Sequence, residues 1–193
     1  MSYITDNFDD KIVELLKSGA VGFMPSDTIY GLSCRALDQK AVEKLHKIKQ
    51  RDKNKPFIVL ISKISQLNKL GIIATDVAPA LRYWPGKLSI ICEAEKAPPW
   101  LHLGTKTMAV RQPDYPDLQD LINKVGPIIS TSANYQGDKP LTTAAAAKKY
   151  FGEKLDFYID TGKIAGESST IIRKDNYQLK IIRQGAVKLL RKE

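Results

Sequence analysis

The sequence is poor in the residues that usually build metal centres and disulfide frameworks. Its 193 residues include only two cysteines and two histidines. Cys34 and Cys92 lie far apart beside apolar runs, which favours two buried reduced thiols and a cytoplasmic location. His46 and His102 are also widely separated. Because no spacing typical of a zinc site occurs, we expect the protein to provide no metal site.

Long apolar runs are missing as well. No stretch approaches the ~20 apolar residues that are needed to span a bilayer. The amino terminus, M-S-Y-I-T-D-N-F-D-D, is acidic and lacks the apolar core of a signal peptide. We therefore expect no membrane partner.

The signatures of common nucleotide and hydrolase sites are absent too. Neither G-x-x-x-x-G-K-[ST] nor G-x-G-x-x-G occurs, which argues against a P-loop and a Rossmann fingerprint. No G-x-S-x-G elbow surrounds Ser132, and only two histidines are available as a base. A serine hydrolase is therefore disfavoured.

The length of the chain favours one domain over residues 1–193, large enough to bury a full core. Lys and Arg total 30 against 21 Asp and Glu, which gives a formal net charge of +9. This balance is typical of proteins with an anionic partner such as a nucleic acid or a nucleotide. An ordinary solvated basic surface explains the charge equally well.

Apolar runs alternate with amphipathic segments along the chain. Helices are predicted at residues 9–18, 39–49, 65–70, 75–83 and 117–125, and in an alanine-rich segment capped by Thr142 or Thr143. Strands are predicted at residues 20–24, 57–61, 88–92, 107–110, 127–129, 157–160, 169–172 and 179–182. This alternation predicts an α/β fold. Because the last strands are adjacent in sequence, we expect a single open, twisted, mixed parallel and antiparallel sheet flanked by helices.

Four short polar segments border these apolar runs. They are P-S-D-T-I-Y-G-L at 25–32, K-Q-R at 49–51, S-T-S-A-N at 130–134 and R-Q-G at 183–185. Ligands of open α/β sheets usually bind where strands end. The set supplies hydroxyls, an amide and fixed cations without an obvious acid–base pair. It indicates a site for a polyphosphate and an amino-acid-sized partner.

The first segment offers the hydroxyls of Thr28 and Tyr30, which both donate and accept hydrogen bonds and suit a small zwitterion. Gly31 is expected to allow a tight turn or a close approach to a ligand. An ordinary structural turn with a half-buried Tyr30 would use the same residue types.

The second and third segments are suited to phosphate. Lys49 and Arg51 lie where a helix is predicted to end, and in an extended loop they would point the same way. The other basic residues between 44 and 55 are better explained as a solvated face. Ser132 and Asn134 follow a predicted strand, where their polar groups would face phosphates or Mg²⁺. A helix N-cap cluster remains the alternative.

Taken in order, these segments resemble the YrdC-like family, the L-threonylcarbamoyl-AMP synthases. The matching pieces are P-S-D-T-I-Y-G-L, I-K-Q-R with Lys55-Pro56, W-P-G at 84–86, A-V-R with Pro113, S-T-S-A-N with Gly137, E-S-S-T at 167–170, and Arg183 with Gly185. The resemblance covers nearly the whole chain and implies a short, single-domain YrdC-like fold.

The resemblance also implies an activity. The family joins L-threonine, bicarbonate and ATP into L-threonylcarbamoyladenylate and pyrophosphate, for the N6-threonylcarbamoyladenosine modification of tRNA. ATP would be a substrate and Mg²⁺ its companion. Implied partners are a tRNA or double-stranded RNA, whose direct contact the sequence leaves open, and the enzymes that transfer the threonylcarbamoyl group onward.

By position, the resemblance implies three groups of site residues. The catalytic, phosphate-holding group comprises Lys49, Arg51, Ser132 and Asn134. The nucleotide-binding group comprises Arg111, Thr131, Ser169 and Arg183. The threonine-binding pair comprises Thr28 and Tyr30.

The chain departs from the family pattern at a few loop positions, including Asp52 and Lys87, where the family has proline. Two other functions stay open on the sequence. One is an RNA-binding module of the same fold, YciO-like and without synthase activity. The other is a related carbamoyl-phosphate or nucleotide-binding enzyme. The presence of both Ser132 and Asn134 favours the synthase.

Overall fold

The strands of the protein form one mixed sheet, seen in a computed structural model that describes residues 1–50, 56–175 and 178–189. The strands are β1 (Tyr3–Thr5), β2 (Gly22–Met24), β3 (Gly31–Arg35), β4 (Ile58–Leu60), β5 (Leu88–Glu93), β6 (Thr107–Arg111), β7 (Ile128–Ser132), β8 (Phe157–Ile159), β9 (Thr170–Asp175) and β10 (Gln178–Arg183). The α-helices are α1 (Asp10–Lys17), α2 (Gln39–Lys49), α3 (Pro99–His102), α4 (Pro116–Val125) and α5 (Ala144–Phe151). The 3₁₀ helices among the described residues cover Ile64–Leu70, Ala74–Tyr83 and Gly152–Lys154.

The order of strands across the sheet is β1-β8-β2-β3-β7-β4-β6-β5-β9-β10. The pairs β1–β8, β2–β8, β4–β6 and β5–β9 are parallel. The pairs β2–β3, β3–β7, β4–β7, β5–β6 and β9–β10 are antiparallel. The predicted mixed, open sheet is confirmed. Antiparallel pairing extends well beyond the late strands in which the sequence placed it.

Side chains alternate between the two faces of the sheet, as the period of two in a strand requires. In β8, for example, Tyr158 packs in a core cluster with α2 and α5, whereas Phe157 and Ile159 pack in a second cluster with α1 and α4. Two apolar cores therefore lie between the sheet and a layer of helices on each side.

Helix starts follow local capping chemistry. The carboxylate of Asp9 accepts the main-chain N–H of Ile12 at 2.9 Å and caps α1. The hydroxyl of Thr143, rather than that of Thr142, accepts the N–H of Ala146 at 3.3 Å and caps α5. Among the described residues, no helix combines the length and the apolar character that crossing a bilayer requires.

Gly31 does not form the tight turn that was one of the two alternatives expected for it. It is the first residue of β3 and pairs with Ser132 of β7. A Cβ at Gly31 would lie 2.8 Å from the Ser130 Oγ and 3.0 Å from the Thr131 main-chain oxygen. Gly31 therefore lets two strands approach closely beside the polar segment at 130–134.

Candidate functional site

A cavity of about 220 Å³ lies where the β2–β3 loop meets β4, β6, β7, β9 and the end of β10. Most of the predicted site residues line it: Thr28, Tyr30, Arg111, Thr131, Ser132, Ser169 and Arg183. Apolar side chains complete its wall, including Phe57, Met108 and Ile182. Segments that are far apart in the sequence thus meet in one concave site of mixed polarity, as ligand pockets usually do.

Lys49 ties α2 to the end of β7. Its side chain is 3% exposed, and its Nζ lies 3.3 Å from the Ser132 Oγ and 2.6 Å from the Asn134 main-chain oxygen. It also contacts the Ser132 main-chain oxygen and the Asn134 Oδ1. The Ser132 hydroxyl donates to the same Oδ1 at 2.7 Å. The buried Lys49 ammonium, which can only donate hydrogen bonds, is thus surrounded by oxygen atoms of Ser132 and Asn134.

Lys49 is the last residue of α2, in agreement with the helix predicted at 39–49, and Gln50 caps this helix in a left-handed rather than an extended conformation. Arg51, Asp52, Lys53 and Lys55 lie outside the described residues, so the predicted pairing of Lys49 with Arg51 stays a prediction. Lys44 contacts the Asp156 Oδ1 at 2.7 Å, so it is more than a solvated charge.

Arg111 ends β6 and pairs with Asp27 in the β2–β3 loop, with both side chains 3% exposed. The second carboxylate oxygen of Asp27 accepts the main-chain N–H of Asp114 at 3.1 Å. Among the described residues, the buried Nε of Arg111 has no hydrogen-bond partner. Because an unpaired buried N–H is costly, this donor is suited to an oxygen of a ligand in the cavity.

The β2–β3 loop is fixed by its own hydroxyls. The Ser26 Oγ lies 2.9 Å from the Thr28 Oγ1 and donates to the Ile29 main-chain oxygen at 2.8 Å. The Tyr30 hydroxyl donates to the Gly162 main-chain oxygen at 2.8 Å and accepts the Thr161 N–H at 2.9 Å. Thr28 and Tyr30 therefore both lie at the cavity, but the Tyr30 hydroxyl is already engaged.

The last strands close the opposite wall. Arg183 donates from Nη2 to the Ser169 main-chain oxygen at 2.6 Å, and its Nη2 also lies 3.2 Å from the Ser169 Oγ. The Ser169 and Ser89 hydroxyls are 2.9 Å apart. Gly166 reaches the β2–β3 loop so closely that a Cβ there would lie 2.1 Å from the Thr28 main-chain oxygen. The segment before β9 thus packs on the loop that carries Thr28.

Sequence reasoning missed three contributors to the site, Asp27, Ser26 and Ser89. Asp27 and Ser26 stand inside a motif that drew attention, but turn residues of these types are common. Ser89 is fully buried, and the signal in the sequence was a single hydroxyl inside the predicted apolar strand 88–92, since buried hydroxyls need partners.

The described part of the chain holds no group of three or more His, Cys, Asp or Glu side chains placed to bind a metal ion. The described residues that line the cavity include no carboxylate, and the carboxylate of the nearby Asp27 is already paired with Arg111. A hard cation such as Mg²⁺ would therefore depend on oxygens that a ligand brings with it.

Comparisons with known proteins agree with this arrangement. A family model, Sua5_yciO_yrdC, described as "Telomere recombination", matches residues 14–185. A threonylcarbamoyl-AMP synthase of Pseudoalteromonas translucida is 32% identical over 177 residues, which are 89% of this chain and 94% of that protein. A threonylcarbamoyl-AMP synthase of Bacillus subtilis is 38% identical over 157 residues, covering 79% of this chain and 43% of that protein.

Solved structures show the same fold. A crystal structure of P. abyssi Sua5 complexed with L-threonine matches with a TM-score of 0.84 and 28% identity, covering 96% of this chain and 57% of that one. The crystal structure of E. coli YciO matches with a TM-score of 0.83 at 23% identity, which supports the fold alone. The chain therefore spans about half of some relatives and nearly all of others, and it belongs to the Sua5/YciO/YrdC family.

Proposed function

We propose that this protein is an L-threonylcarbamoyladenylate synthase, which condenses L-threonine, bicarbonate and ATP and releases pyrophosphate. The observation that carries the proposal is the cavity in which Ser132, Arg111 and Arg183 converge from three separate strands beside Thr28, with the Lys49 ammonium of α2 directly behind Ser132. The family membership supports it, together with two relatives named threonylcarbamoyl-AMP synthase and a neighbouring structure complexed with L-threonine.

The reaction mainly requires that the substrates are positioned correctly and that the negative charge of the phosphates is stabilised. The threonine amine and bicarbonate form a carbamate with loss of water. A carbamate oxygen then bonds to the α-phosphorus of ATP, and the bond from that phosphorus to the bridging oxygen of pyrophosphate breaks. Cations fixed in a partly buried site stabilise the charge that spreads over the phosphate oxygens. A site without an acid–base pair can therefore perform this reaction.

Within this proposal, the residues of the site have the following roles. Lys49, Ser132 and Asn134, with Arg51 outside the described residues, hold the phosphates. Arg111 offers its buried Nε to an anionic oxygen.

The nucleotide-binding roles of Thr131, Ser169 and Arg183 are part of the proposal. Thr28 supplies a hydroxyl to threonine. Tyr30 shapes the wall of the threonine site with its ring, because its hydroxyl bonds Gly162 and Thr161.

ATP would enter as its Mg²⁺ complex, with the phosphates providing most of the ligands of the ion, since the described residues offer no carboxylate cage. The product would be consumed by enzymes that transfer the threonylcarbamoyl group to tRNA in the cytoplasm. The net charge of +9 is suited to contact with tRNA or double-stranded RNA. The comparisons do not favour an RNA-binding module without activity.

The first test is pyrophosphate release from ATP and Mg²⁺ with threonine and bicarbonate present, and with each omitted in turn. We expect release only with both. Release without threonine would contradict the proposal. No release together with RNA binding that weakens steeply with salt would favour the RNA-binding alternative instead.

A matched pair of variants tests the role of Lys49. Lys49→Met removes the buried ammonium but keeps the stem, and we expect kcat/KM for ATP to fall by about 30-fold or more, as for the loss of one partner from a buried charged contact. Lys47→Met removes an exposed cation from the same helix and is expected to leave the kinetics nearly unchanged. Equal kinetics of the two variants would remove Lys49 from the site.

A further inference from the structure

The loop at residues 135–141, which follows β7, links Asn134 to α5. The Asp138 main-chain N–H donates to the Tyr135 oxygen at 3.2 Å, and the Leu141 N–H donates to the Ala133 oxygen at 2.9 Å. The loop thus folds back on the strand end that carries the site. A contact that holds this loop also sets the position of Asn134.

The side-chain amide of Asn134 can satisfy its surroundings in one orientation only. Its Oδ1 faces the Lys49 ammonium and accepts the Ser132 hydroxyl. Its Nδ2 donates to the Asp138 main-chain oxygen. Because an ammonium can only donate and a carbonyl can only accept, a reversed amide would lose both contacts. The Asp138 carbonyl therefore acts together with Lys49 and Ser132 to fix which end of the Asn134 amide faces the ammonium.

Asp138 is in turn held from α5. The Tyr150 hydroxyl donates to the Asp138 Oδ2 and accepts the Tyr135 main-chain N–H at 3.3 Å. The Tyr150 hydroxyl therefore contacts the loop at two residues, Tyr135 at its start and Asp138 in its middle. The pKa of Tyr150 is raised, with the hydrogen bond to Asp138 as the largest cause, so the hydroxyl remains a donor at neutral pH.

Tyr150 is itself placed on a rigid support. The next residue, Phe151, is 2% exposed and belongs to the main core. The Tyr150 ring lies 4.9 Å from the Phe151 ring and 4.7 Å from the Tyr135 ring. Because its ring is packed against other aromatic rings, the Tyr150 hydroxyl is well placed to hold the loop at residues 135–141 in one position.

We propose that Tyr150 is a positioning residue of the synthase site, which acts through Asp138 to hold the Asn134 amide with its oxygen towards Lys49. The inference rests on the proposed function for its kinetic consequence, whereas the orientation of the amide can be tested without it. No contact between Tyr150 and a substrate is involved.

The test compares two Tyr→Phe variants from the same aromatic cluster. Tyr150→Phe keeps the ring and removes the hydroxyl that binds the loop. Tyr135→Phe removes a hydroxyl that accepts the Lys154 ammonium at 2.9 Å, and it leaves the loop contacts in place. We expect Tyr150→Phe to lower kcat/KM for ATP by about tenfold, as a small misplacement of a site group does. The KM for threonine and the melting temperature should change little, and Tyr135→Phe should match the unmodified protein.

A second readout does not depend on catalysis. The side-chain amide resonances of Asn134, assigned in a ¹H–¹⁵N spectrum by comparison with Asn134→Ala, should shift in Tyr150→Phe and stay in place in Tyr135→Phe. Asp138→Ala should shift them as well, and combining it with Tyr150→Phe should add little, because both changes remove one shared contact. Asp138→Ala also serves if Tyr150→Phe fails to fold.

The outcomes separate the two proposals. Unmoved Asn134 resonances in Tyr150→Phe, or an equal loss of activity in both Tyr→Phe variants, would overturn the positioning role. An unmodified protein that releases no pyrophosphate would sink the proposed function, while the amide resonances would still decide whether Tyr150 orients Asn134.

Discussion

At the scale of single residues, the Arg111–Asp27 pair places two full charges where water is nearly excluded, since each side chain is 3% exposed. Removing two ions from water costs several kcal/mol per ion, and only their close contact offsets that cost. The pair therefore contributes little net stability as a whole. Loss of either partner alone is expensive, because it leaves one buried charge without compensation.

We predict that Asp27→Asn, which keeps the shape of the side chain, destabilises the protein by about 3–5 kcal/mol in urea unfolding. The double variant Asp27→Asn/Arg111→Met should recover much of this loss, since it removes the charge that the single change leaves unpaired.

The exposed pair of Lys106 and Glu95, 2.9 Å apart, provides the control, and Glu95→Gln should change stability very little. If Asp27→Asn were as mild as Glu95→Gln, the buried pair would not be charged.

The residue types of the site could be predicted from the sequence, whereas their hydrogen-bond and ion-pair partners could not. Thr28 was singled out as a hydroxyl that suits a small zwitterion. Lys49 was singled out as a cation at a helix end, and Ser132 and Arg111 as polar groups at strand ends that suit anions. Nothing local connects Arg111 to Asp27, which precedes it by 84 positions. Pairing over such a separation is decided by the order of strands in the sheet.

At the scale of elements, the amphipathic helices and the continuous apolar strands were predicted well, including the three-residue strands β2, β4 and β8. The strands β1 and β3 were missed because Y-I-T and G-L-S-C-R contain no continuous apolar run. The segments predicted as helices at 65–70 and 75–83 are 3₁₀ helices. In the second of them Pro79 cannot donate a main-chain hydrogen bond, so a regular α-helix is unfavourable there.

The N-cap of α5 allows a prediction at the scale of one element, and the neighbouring residue Thr142 provides the control. Thr143→Ala removes the hydroxyl that accepts the Ala146 N–H, and we expect a loss of about 1 kcal/mol, measured as a lower midpoint of thermal or urea unfolding. Thr142→Ala changes the preceding hydroxyl, which is not the one that caps α5, and should be nearly neutral. A larger loss for Thr142→Ala than for Thr143→Ala would show that the helix begins one residue earlier.

At the scale of the whole molecule, the sheet interleaves early and late parts of the chain. The first strand, β1, pairs with β8, and β3 pairs with β7. The class of fold follows from the alternation of strands and helices. The strand order does not, because each parallel neighbour is joined by a long crossover whose destination no local pattern encodes. The order of the strands in the sheet was therefore the part of the fold that could not be predicted from the sequence.

The two cysteines can be used to follow unfolding in two different parts of the sheet, because Cys34 lies in β3 and Cys92 in β5. Burial raises the pKa of both thiols, that of Cys92 to about 12. At pH 8 only about 1 in 10⁴ of such thiols is ionised, and the thiolate is the reactive form. Neither thiol of the folded protein should react appreciably with iodoacetamide, whereas both should react in 8 M urea, roughly the strength that unfolds a small domain.

Both thiols also belong to the same core cluster, although three strands separate β3 from β5 in the sheet. If residues 1–193 form one cooperative domain, opening one half of the sheet uncovers the core of the other half, so local opening gains little. We therefore predict that Cys34 and Cys92 become labelled at the same urea midpoint, read separately by peptide mass analysis, and that this midpoint equals the loss of far-ultraviolet circular dichroism. Labelling of Cys92 at distinctly lower urea would mean that the β5–β9–β10 end unfolds as a unit of its own. The site would then be assembled from two cooperative units, since Ser169 and Arg183 come from that end, whereas Thr28 and Ser132 come from the other.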